Sequence, residues 1–351
     1  MSQDTKSWIK CHIQSLIGGR SENQDSAGIA DTAIGTVVIV CDGMGAVNGG
    51  SVASSLAVKT ILEEFSDVDE NSSPAEVLRN AVNKANDAIL DAAEENPSLS
   101  GMGTTLTVAV INDNCATVTH LGDSRIYQLR GHKKIFRTFD HSFVFGSVAL
   151  GIITEEQARL SSQSNIITQA LGIRREIELE IHELPYLSGD RFVLCTDGFW
   201  GAMPEPQFIK MIARGNVSKT LDEAATYVDR IGIVHGGHHD NLTAALFDVK
   251  KESKKKVKMS KKVKIFVAVL ALLVLSSMGL NVYQWHKYNS TQETQSLKTK
   301  VEINKGLDEK VNNSGEEETV NKTDTTALGT KAGAVDDQQA TPIDDKNNKK
   351  S

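Results

Sequence analysis

The chain has 351 residues, 40% of them apolar and 24% charged, which suits one large soluble domain with additional segments or two ordinary domains. Its net charge of −7 at pH 7 gives no support to nucleic-acid binding by the whole chain. The four cysteines are far apart and show no CxxC spacing, which disfavours a zinc or redox motif and favours small buried thiols. The first residues lack the apolar core of a secretory signal, so we expect the first domain to stay where it is made.

The apolar pattern of residues 1–249 predicts one globular domain. Its strands and helices are clustered rather than strictly alternating along the chain. Residues 111–114 (INDN) and 128–131 (QLRG) resemble hairpin turns, so we expect that part of the sheet to be antiparallel. The predicted fold class is therefore mixed α/β, of the α+β kind, with helices flanking the sheets. Strand-like runs are at 36–40, 105–111, 116–120, 126–129, 177–184, 192–195 and 242–249, and helical patterns are at 52–65, 75–93, 206–213 and 221–231.

The segment after this domain changes in character twice. Residues 250–264 form a strongly basic linker, and residues 265–285 contain no charged side chain. At a rise of about 1.5 Å per residue, the second stretch is just long enough to span a bilayer core of about 30 Å. The alternative is a buried core helix, which is disfavoured because nothing that follows could cover it. We therefore predict a single transmembrane helix at 265–285.

The remaining segment, residues 286–351, is polar and nearly free of aromatic residues, and we predict that it is disordered. The lysines before the predicted span indicate the orientation, because positively charged flanks stay in the cytoplasm. The predicted location is the plasma membrane, crossed once, with the first domain in the cytoplasm and the C-terminal tail outside it. The same lysines would attract anionic lipid headgroups.

Four aspartates stand where a predicted strand meets a turn. Asp42 follows the apolar run TVVIVC and begins the turn DGMG, and Asp123 follows ATVTHLG. Asp197 follows FVLCT and precedes Gly198, whereas Asp240 comes just before the last strand-like run. Glycine-containing turns let the backbone approach a ligand closely. These positions are therefore candidates for one shared binding site.

Each aspartate also has an ordinary alternative role, because Asp often caps backbone amides of its own turn. Four carboxylates brought together would repel one another and raise one another's pKa values unless a cation lies among them. Oxygen ligands without an HExxH or cysteine pattern favour Mg²⁺ or Mn²⁺ over zinc. Two such ions about 4 Å apart can activate water for attack on phosphorus. Arg20, in GGRSENQD, is the candidate clamp for the phosphate.

Eight motifs together carry a resemblance to a known family. Between residues 13 and 247 the chain contains, in order, GGRSENQDS, VIVCDGMG, GMGTTL, LGDSRIY, DHS, NIITQALG, LCTDG and HDNLTAAL. In their order and spacing they resemble the metal-dependent protein serine/threonine phosphatases of type 2C, especially the bacterial branch. The resemblance implies a four-layer αββα sandwich of two mainly antiparallel sheets, and hydrolysis of phosphoserine and phosphothreonine by direct attack of water.

The resemblance also implies metal ligands, and two or three Mn²⁺ or Mg²⁺ ions as cofactors. Asp42 would bridge two metals, with the backbone carbonyl of Gly43 as a further ligand. Asp197 and Asp240 would complete the second metal site. Asp123 would hold a weaker third metal.

The family pattern assigns the catalytic roles as well. Arg20 would bind the substrate phosphate, and Asp25 would orient the attacking water. Residues 141–165 correspond to the family's flap, which helps to define substrate access. His141 recurs in the family's DHS motif, and we expect it to form structural hydrogen bonds. The implied partners are phosphoserine and phosphothreonine proteins, including a Ser/Thr kinase and its substrates.

The chain departs from the family pattern at several positions. Met44 stands where eukaryotic members have a histidine proposed as general acid, which leaves the acid for the leaving oxygen unassigned. Gln24 replaces a common Glu, and Ala46 and Ser51 replace a frequent Gly and Glu. The tract HGGHHD (235–240) resembles a metal-binding segment, but a solvated loop is the favoured interpretation, with proton transfer or an auxiliary metal as alternatives. The other class of function is a non-catalytic interaction module, which loss of the metal aspartates would indicate; they are present.

Overall fold

The structure is a computed structural model that describes residues 9–45, 49–251, 253–254 and 261–312. The chain divides into two compact units, Met1–Lys258 and Met259–Ser351. The division lies inside the predicted basic linker, of which residues 252 and 255–260 are outside the described residues.

Two antiparallel sheets form the first unit. The six-stranded sheet has the order β2-β3-β5-β6-β9, with β4 paired to β3, and the five-stranded sheet has the order β1-β11-β10-β7-β8. Each of the two predicted hairpin turns joins a pair of antiparallel neighbours, β5–β6 and β7–β8. The strands are β1 (Ile9–Leu16), β2 (Asp25–Thr32), β3 (Gly35–Met44), β4 (Gly103–Thr104), β5 (Leu106–Ile111), β6 (Ala116–Leu121), β7 (Arg125–Arg130), β8 (Lys133–Arg137), β9 (His182–Leu184), β10 (Arg191–Cys195) and β11 (Leu242–Val249).

Helices cover the outer face of each sheet. The helices α1 and α2 share a hydrophobic cluster with the six-stranded sheet, and α5, α6 and α7 share one with the five-stranded sheet. The short helices α3 and α4 lie in the predicted flap. The helical bounds are α1 (Gly49–Ser66), α2 (Pro74–Glu95), α3 (Phe143–Ala149), α4 (Glu155–Arg159), α5 (Asp197–Trp200), α6 (Glu205–Ile212) and α7 (Val217–Val234).

The alternation of side chains along β3 explains the layering. Val37, Ile39 and Cys41 pack against the helices α1 and α2, whereas Val38 and Val40 pack against the other sheet. Successive residues of a strand point to opposite faces, so a continuous apolar run is buried on both sides. The predicted four-layer αββα sandwich is confirmed. The prediction of small buried thiols is confirmed as well, because all four cysteines are free and buried.

The strand predictions failed where the sequence is not strongly apolar. β1, β2 and β8 were not predicted, because two of them are only partly buried along most of their length and β8 is largely exposed. The predicted strand at 177–184 is reduced to its last three residues, β9. These strands form because their neighbours offer unpaired backbone groups, which the local sequence does not reveal.

The second unit contains one long helix, α8 (Lys261–Asn312). Its segment Ala268–Glu302, with a mean hydropathy of 1.4, is long and apolar enough to cross a membrane, and none of it is covered by the rest of the structure. The exposure of this segment disfavours the alternative of a buried core helix, and the transmembrane helix stays a prediction. The disordered tail predicted from residue 286 is wrong as far as Asn312, where the helix ends. A helix that has already formed extends easily through charged residues with good helix propensity. The rest of the predicted tail, 313–351, lies outside the described residues.

Candidate metal centre

The predicted site residues meet at one end of the sandwich. Asp25 begins β2 and lies directly opposite Asp42, near the end of β3, in the antiparallel pairing of these strands. Asp123 follows β6, Asp197 follows β10 and Asp240 precedes β11. The structure therefore brings carboxylates from both sheets together, as the strand-end pattern predicted.

The backbone around Asp42 is fixed by the threonines of the GMGTT motif. The amide of Asp42 donates a hydrogen bond to Thr105 Oγ1 at 2.9 Å. Its carbonyl accepts from the Thr105 amide at 2.8 Å and from the Thr104 hydroxyl at 2.9 Å. The next residue must be glycine, because a Cβ on Gly43 would lie 2.0 Å from the carbonyl oxygen of Gly50. The turn is thus built by tight backbone packing that presents the Asp42 carboxylate.

The electrostatics of the cluster are those of uncompensated like charges. Burial is the main cause of a raised pKa at each of four carboxyl groups, and a neighbouring aspartate adds to it in every case. The pKa of Asp25 is raised to about 7 and that of Asp197 to about 6, the latter with the help of Asp240. The pKa values of Asp42 and Asp123 lie well above the usual range for Asp. A cation bound among these carboxylates would favour their ionised forms and lower their pKa values.

Two carboxylate oxygens in the cluster have no hydrogen-bond partner among the residues that the structure describes. They are Asp25 Oδ1 and Asp197 Oδ1, both buried. The other oxygen of Asp25 accepts a hydrogen bond from the Thr196 hydroxyl at 3.1 Å. Buried acceptors without donors are uncommon in proteins and are typical of groups that bind a further partner such as a metal ion. The donor set is oxygen only, which fits Mg²⁺ or Mn²⁺.

The carboxylates are not arranged as a complete metal-binding site in this structure. Among the described residues, no three His, Cys, Asp or Glu side chains are gathered closely enough to hold an ion as they stand. Asp240 shows one reason, since both of its oxygens are engaged. Oδ2 accepts from Arg20 Nη2 at 2.6 Å, and Oδ1 accepts from the Asn241 amide at 2.8 Å. The ligand chemistry therefore fits a divalent cation, which at Asp240 would compete with Arg20 for the same carboxylate.

The ordinary role of an Asp in a turn is visible in part of the cluster. Asp240 accepts from the amide of the next residue, and a hydrogen bond with the Gly198 backbone lowers the pKa of Asp197. For Asp42 the backbone bonds run instead to Thr104 and Thr105. Capping is thus an additional role at Asp197 and Asp240, whereas the Asp42 side chain faces other carboxylates.

Comparison with known proteins agrees with this geometry. The family model "Protein phosphatase 2C" matches residues 14–230. The chain belongs to the protein phosphatase 2C family. The serine/threonine phosphatase stp of Listeria monocytogenes is 31% identical over 233 residues, covering 65% of this chain and 91% of that protein. The protein phosphatase PhpP of Streptococcus pneumoniae is 32% identical over 236 residues, covering 66% and 94%.

Solved structures of relatives share the phosphatase 2C fold. The Mycobacterium tuberculosis serine/threonine phosphatase PstP/Ppp is 31% identical and superposes with a TM-score of 0.59, over 69% of this chain and 99% of that one. The catalytic domain of the serine/threonine protein phosphatase PstP, 30% identical with a TM-score of 0.59 over 70% and 99%, was solved with two manganese ions. The predicted enzyme class and the predicted cofactor type are confirmed at the level of the family.

The phosphatase 2C domain holds Asp123 through a brace that we did not predict. Arg125 makes two hydrogen bonds with Asp140, at 2.8 and 2.7 Å, and both side chains are almost fully buried. The Arg125 guanidinium lies 3.3 Å from the ring centroid of Trp200, whose Nε1 donates to the Asp123 carbonyl at 3.0 Å. Both charged residues lie in motifs that carried the family resemblance, LGDSR and DHS, which was the available signal.

Asn241, the Asn of the DN pair in the motif HDNLTAAL, fixes the loop that carries Arg20 through contacts that the sequence did not specify. Its Nδ2 donates to the carbonyls of Ile17 and Glu22, at 2.7 and 2.9 Å. Its Oδ1 accepts from the amide of Gln24 at 2.9 Å. One buried side chain thus ties the two ends of the loop to the strand that follows Asp240.

A cavity of about 390 Å³ opens above the carboxylates of the phosphatase 2C domain. Its wall includes the tract at 235–240, in which His235 and His238 are exposed, as expected for a solvated loop. His239 differs, because its Nε2 lies 2.8 Å from Asp229 Oδ1 on α7. Residues of the cavity wall that belong to the site or the flap are Arg20, Asp123, Asp197, Asp240, Phe145, Arg159, Ser164 and Asn165.

The hydrogen bonds of His141 found in the structure are made by its backbone, whereas its ring makes a stacking contact. Its amide donates to Gly122 O and its carbonyl accepts from Thr168 N, both at 2.8 Å. The imidazole stacks on that of His120 at 4.4 Å, and its Nδ1 has no hydrogen-bond partner. The expected structural role is therefore met by a main-chain bridge that joins the start of the flap to the loop of Asp123.

Proposed function

We propose that this chain is a metal-dependent protein serine/threonine phosphatase with two Mn²⁺ or Mg²⁺ ions at the cluster described above. Asp42 would bridge the two ions, with the Gly43 carbonyl, Asp197 and Asp240 as further ligands, and Asp123 would hold a weaker third. The observation that carries the proposal is the meeting of buried carboxylates with raised pKa values and unpartnered oxygens. Such a cluster is unfavourable without cations.

Each remaining residue has a role that follows from its position. Asp25 lies opposite Asp42 with one free carboxylate oxygen, so it would orient the attacking water by accepting a proton or hydrogen bond. Arg20 is half exposed at the cavity mouth and would bind the phosphate oxygens. The bound cations would supply an activated water and neutralise charge on the phosphate. Attack of water on phosphorus then releases phosphate without a phospho-enzyme.

The Arg20–Asp240 ion pair connects the two halves of this proposal. In the structure Arg20 supplies the positive charge that Asp240 needs. A divalent cation held by Asp240 would weaken this ion pair, and the Arg20 guanidinium could then form hydrogen bonds with substrate phosphate. Metal binding would thus prepare the phosphate site as well as the nucleophile.

The proposed location of the enzyme is a membrane. The apolar helix supports this, and the basic residues before it favour a cytoplasmic catalytic domain with the C-terminus outside. The proposed substrates are phosphoserine and phosphothreonine proteins, so that the enzyme would oppose a Ser/Thr kinase. A reporter fused after Ser351 should be active only outside the cytoplasm; activity inside it, with the chain in the membrane fraction, would contradict this orientation.

The direct test of activity is hydrolysis of a phosphothreonine peptide by the full chain in a non-ionic detergent. Activity should rise with added Mn²⁺ and disappear in EDTA, and the Asp42→Asn variant should be inactive at every Mn²⁺ concentration. Full activity in EDTA would rule out the metal centre. No hydrolysis under any condition, with intact folding and metal binding, would favour the non-catalytic interaction module.

A further inference from the structure

A second cavity, of about 700 Å³, lies between α6 and the first half of α7 and shares no residue with the proposed centre. Lys210 and Arg214 contribute to its wall from α6 and the loop after it, and Lys219 and Tyr227 from α7. All four side chains are exposed. The proposed catalytic reaction does not use this groove.

The groove is positively charged in a chain whose net charge is negative. It contains three cationic side chains and one carboxylate, Glu223. Lys219 pairs with Glu223 at 3.7 Å, but both side chains are about 70% exposed, and such pairs stabilise little. Within the described part of the chain, no carboxylate lies within ion-pair distance of Lys210 or Arg214. These charges are available to an anionic ligand.

The loop that carries Arg214 is held in place from below. The buried Arg191 pairs with Asp248 at 2.6 Å and donates hydrogen bonds to the carbonyls of Ile212 and Gly215, both at 2.7 Å. The Thr220 hydroxyl donates to the Arg214 carbonyl at 3.1 Å. The cationic groove is therefore a pre-formed feature, which lowers the entropy that a ligand must overcome.

One stripe of α7 connects the groove with the catalytic cavity. Lys219, Glu223 and Tyr227 contribute to the wall of the groove, and Ile231 and His235, the residue after the helix, contribute to the wall of the cavity. These positions follow one another at helical spacing of three or four residues. The groove positions and the cavity positions are about ten residues apart on average, which corresponds to about 15 Å along the helix axis.

We propose that this groove binds an acidic segment of the phosphoprotein substrate while the phosphorylated residue occupies the catalytic cavity. The inference rests on the proposed phosphatase function. An extended peptide advances about 3.3 Å per residue, so the acidic segment would begin about four or five positions from the phosphoresidue. The groove would then select substrates by charge at a distance from the reaction.

Two phosphothreonine peptides of equal length test this, one with four Glu residues starting about five positions from the phosphothreonine and one with Gln in their place. Each peptide is made in two forms, one with the Glu or Gln segment N-terminal to the phosphothreonine and one with it C-terminal. With the full chain in non-ionic detergent and Mn²⁺, the acidic peptide should have a KM about three- to tenfold lower at equal kcat, and the difference should vanish in about 0.5 M salt. Equal KM values for both peptides would overturn the proposal. Hydrolysis of the Gln peptide shows independently whether the enzyme is a phosphatase.

The variant Lys210→Ala/Arg214→Ala should lose the preference for the acidic peptide and keep its kinetics on the Gln peptide. The matched control is Lys59→Ala/Arg79→Ala, which removes the same charge from exposed positions on α1 and α2 and should keep the preference. An equal loss in both variants would show a general charge effect and contradict the groove. Competition by phosphatidylserine vesicles, without any peptide preference, would assign the groove to lipid instead.

Discussion

Two buried carboxylate sites lie close together in this domain and differ in how their charge is compensated. Asp140 is 3% exposed, and both of its oxygens are bound by the guanidinium of Arg125. Asp25 is 8% exposed, lies opposite Asp42, and has one oxygen with no partner. Burial alone therefore does not distinguish a structural acid from a functional one. The absence of an internal counter-charge at Asp25 and Asp42, among the described residues, indicates that an external cation is needed.

The largest expected effect is a loss of activity when the carboxylate cluster, rather than the Arg125–Asp140 pair, is altered. Asp42→Asn should reduce kcat about a thousandfold, equivalent to about 4 kcal/mol, because it removes the proposed bridging ligand. Asp240→Asn should lose less, because one metal keeps its other ligands, and Asp123→Asn least, with the first two metals still bound. The measurement is phosphothreonine peptide hydrolysis with Mn²⁺ titrated. An Asp42→Asn enzyme as active as the parent would contradict the assignment of Asp42 as the bridging metal ligand.

The second effect is on stability, at the compensated site. Asp140→Asn should lower the free energy of unfolding by about 3 kcal/mol, because it leaves the buried Arg125 unpaired. The double variant Arg125→Gln/Asp140→Asn should recover part of this loss, since no buried charge then remains without a partner. Urea unfolding in EDTA measures both. A loss below about 0.5 kcal/mol for the single variant would show that the pair does not have the structural role assigned to it.

The third effect concerns the phosphate clamp. Arg20→Ala should lower kcat/KM about ten- to hundredfold, because hydrogen bonds to a charged phosphate are lost. Mn²⁺ affinity should not fall, because the variant removes a competing cation from Asp240. Arg20→Lys should recover part of the activity. An unchanged kcat/KM, or a large loss of Mn²⁺ affinity, would contradict the assignment.

The smallest effect is a pH dependence of the metal-free protein. The folded-state pKa of Asp25, about 7, lies above its ordinary value, so its protonated form stabilises the fold and this contribution is lost as pH rises through 7. In EDTA, stability should therefore increase from pH 8 to pH 6.5 by about 1 kcal/mol from Asp25 alone. Burial lowers the pKa of His120 to about 3, which acts in the opposite direction only below about pH 6.5.

Urea titrations of the parent and Asp25→Asn at the two pH values check this. The variant should show a smaller pH dependence, because Asn cannot titrate. A parent whose stability falls from pH 8 to pH 6.5 would mean that the cluster is compensated internally, as Asp140 is.

The sequence predicted the aspartates of the site better than it predicted the residues that hold them in position. The aspartates could be found because each stands at the junction of an apolar strand and a turn, which is a local pattern. The brace of Arg125, Asp140 and Trp200 and the clamp of Asn241 depend on contacts between residues 15 to 224 positions apart. No local pattern specifies such contacts, so motif resemblance was the only signal for them.

The fold shows the same limit. Strands with long apolar runs, such as β3 and β5, were predicted, whereas β2 contains two Asp, two Ala and a Gly among its eight residues and gives no such signal. It is an edge strand, held mainly by pairing with β3. The helix beyond residue 285 was missed for a different reason: composition indicates the lack of a packed core but does not exclude a helix that continues from an apolar one.

The most direct test of the central claim is thermal unfolding of Asp42→Asn at pH 8, in EDTA and in Mn²⁺, beside the parent. If the cluster is an uncompensated cation site, the variant should unfold at a higher temperature than the parent in EDTA, because one buried charge is gone. Mn²⁺ should then stabilise the parent strongly and the variant little. If Asp42 only caps its own turn, the variant should instead lose about 1 kcal/mol in EDTA and respond to Mn²⁺ as the parent does, which would contradict the account.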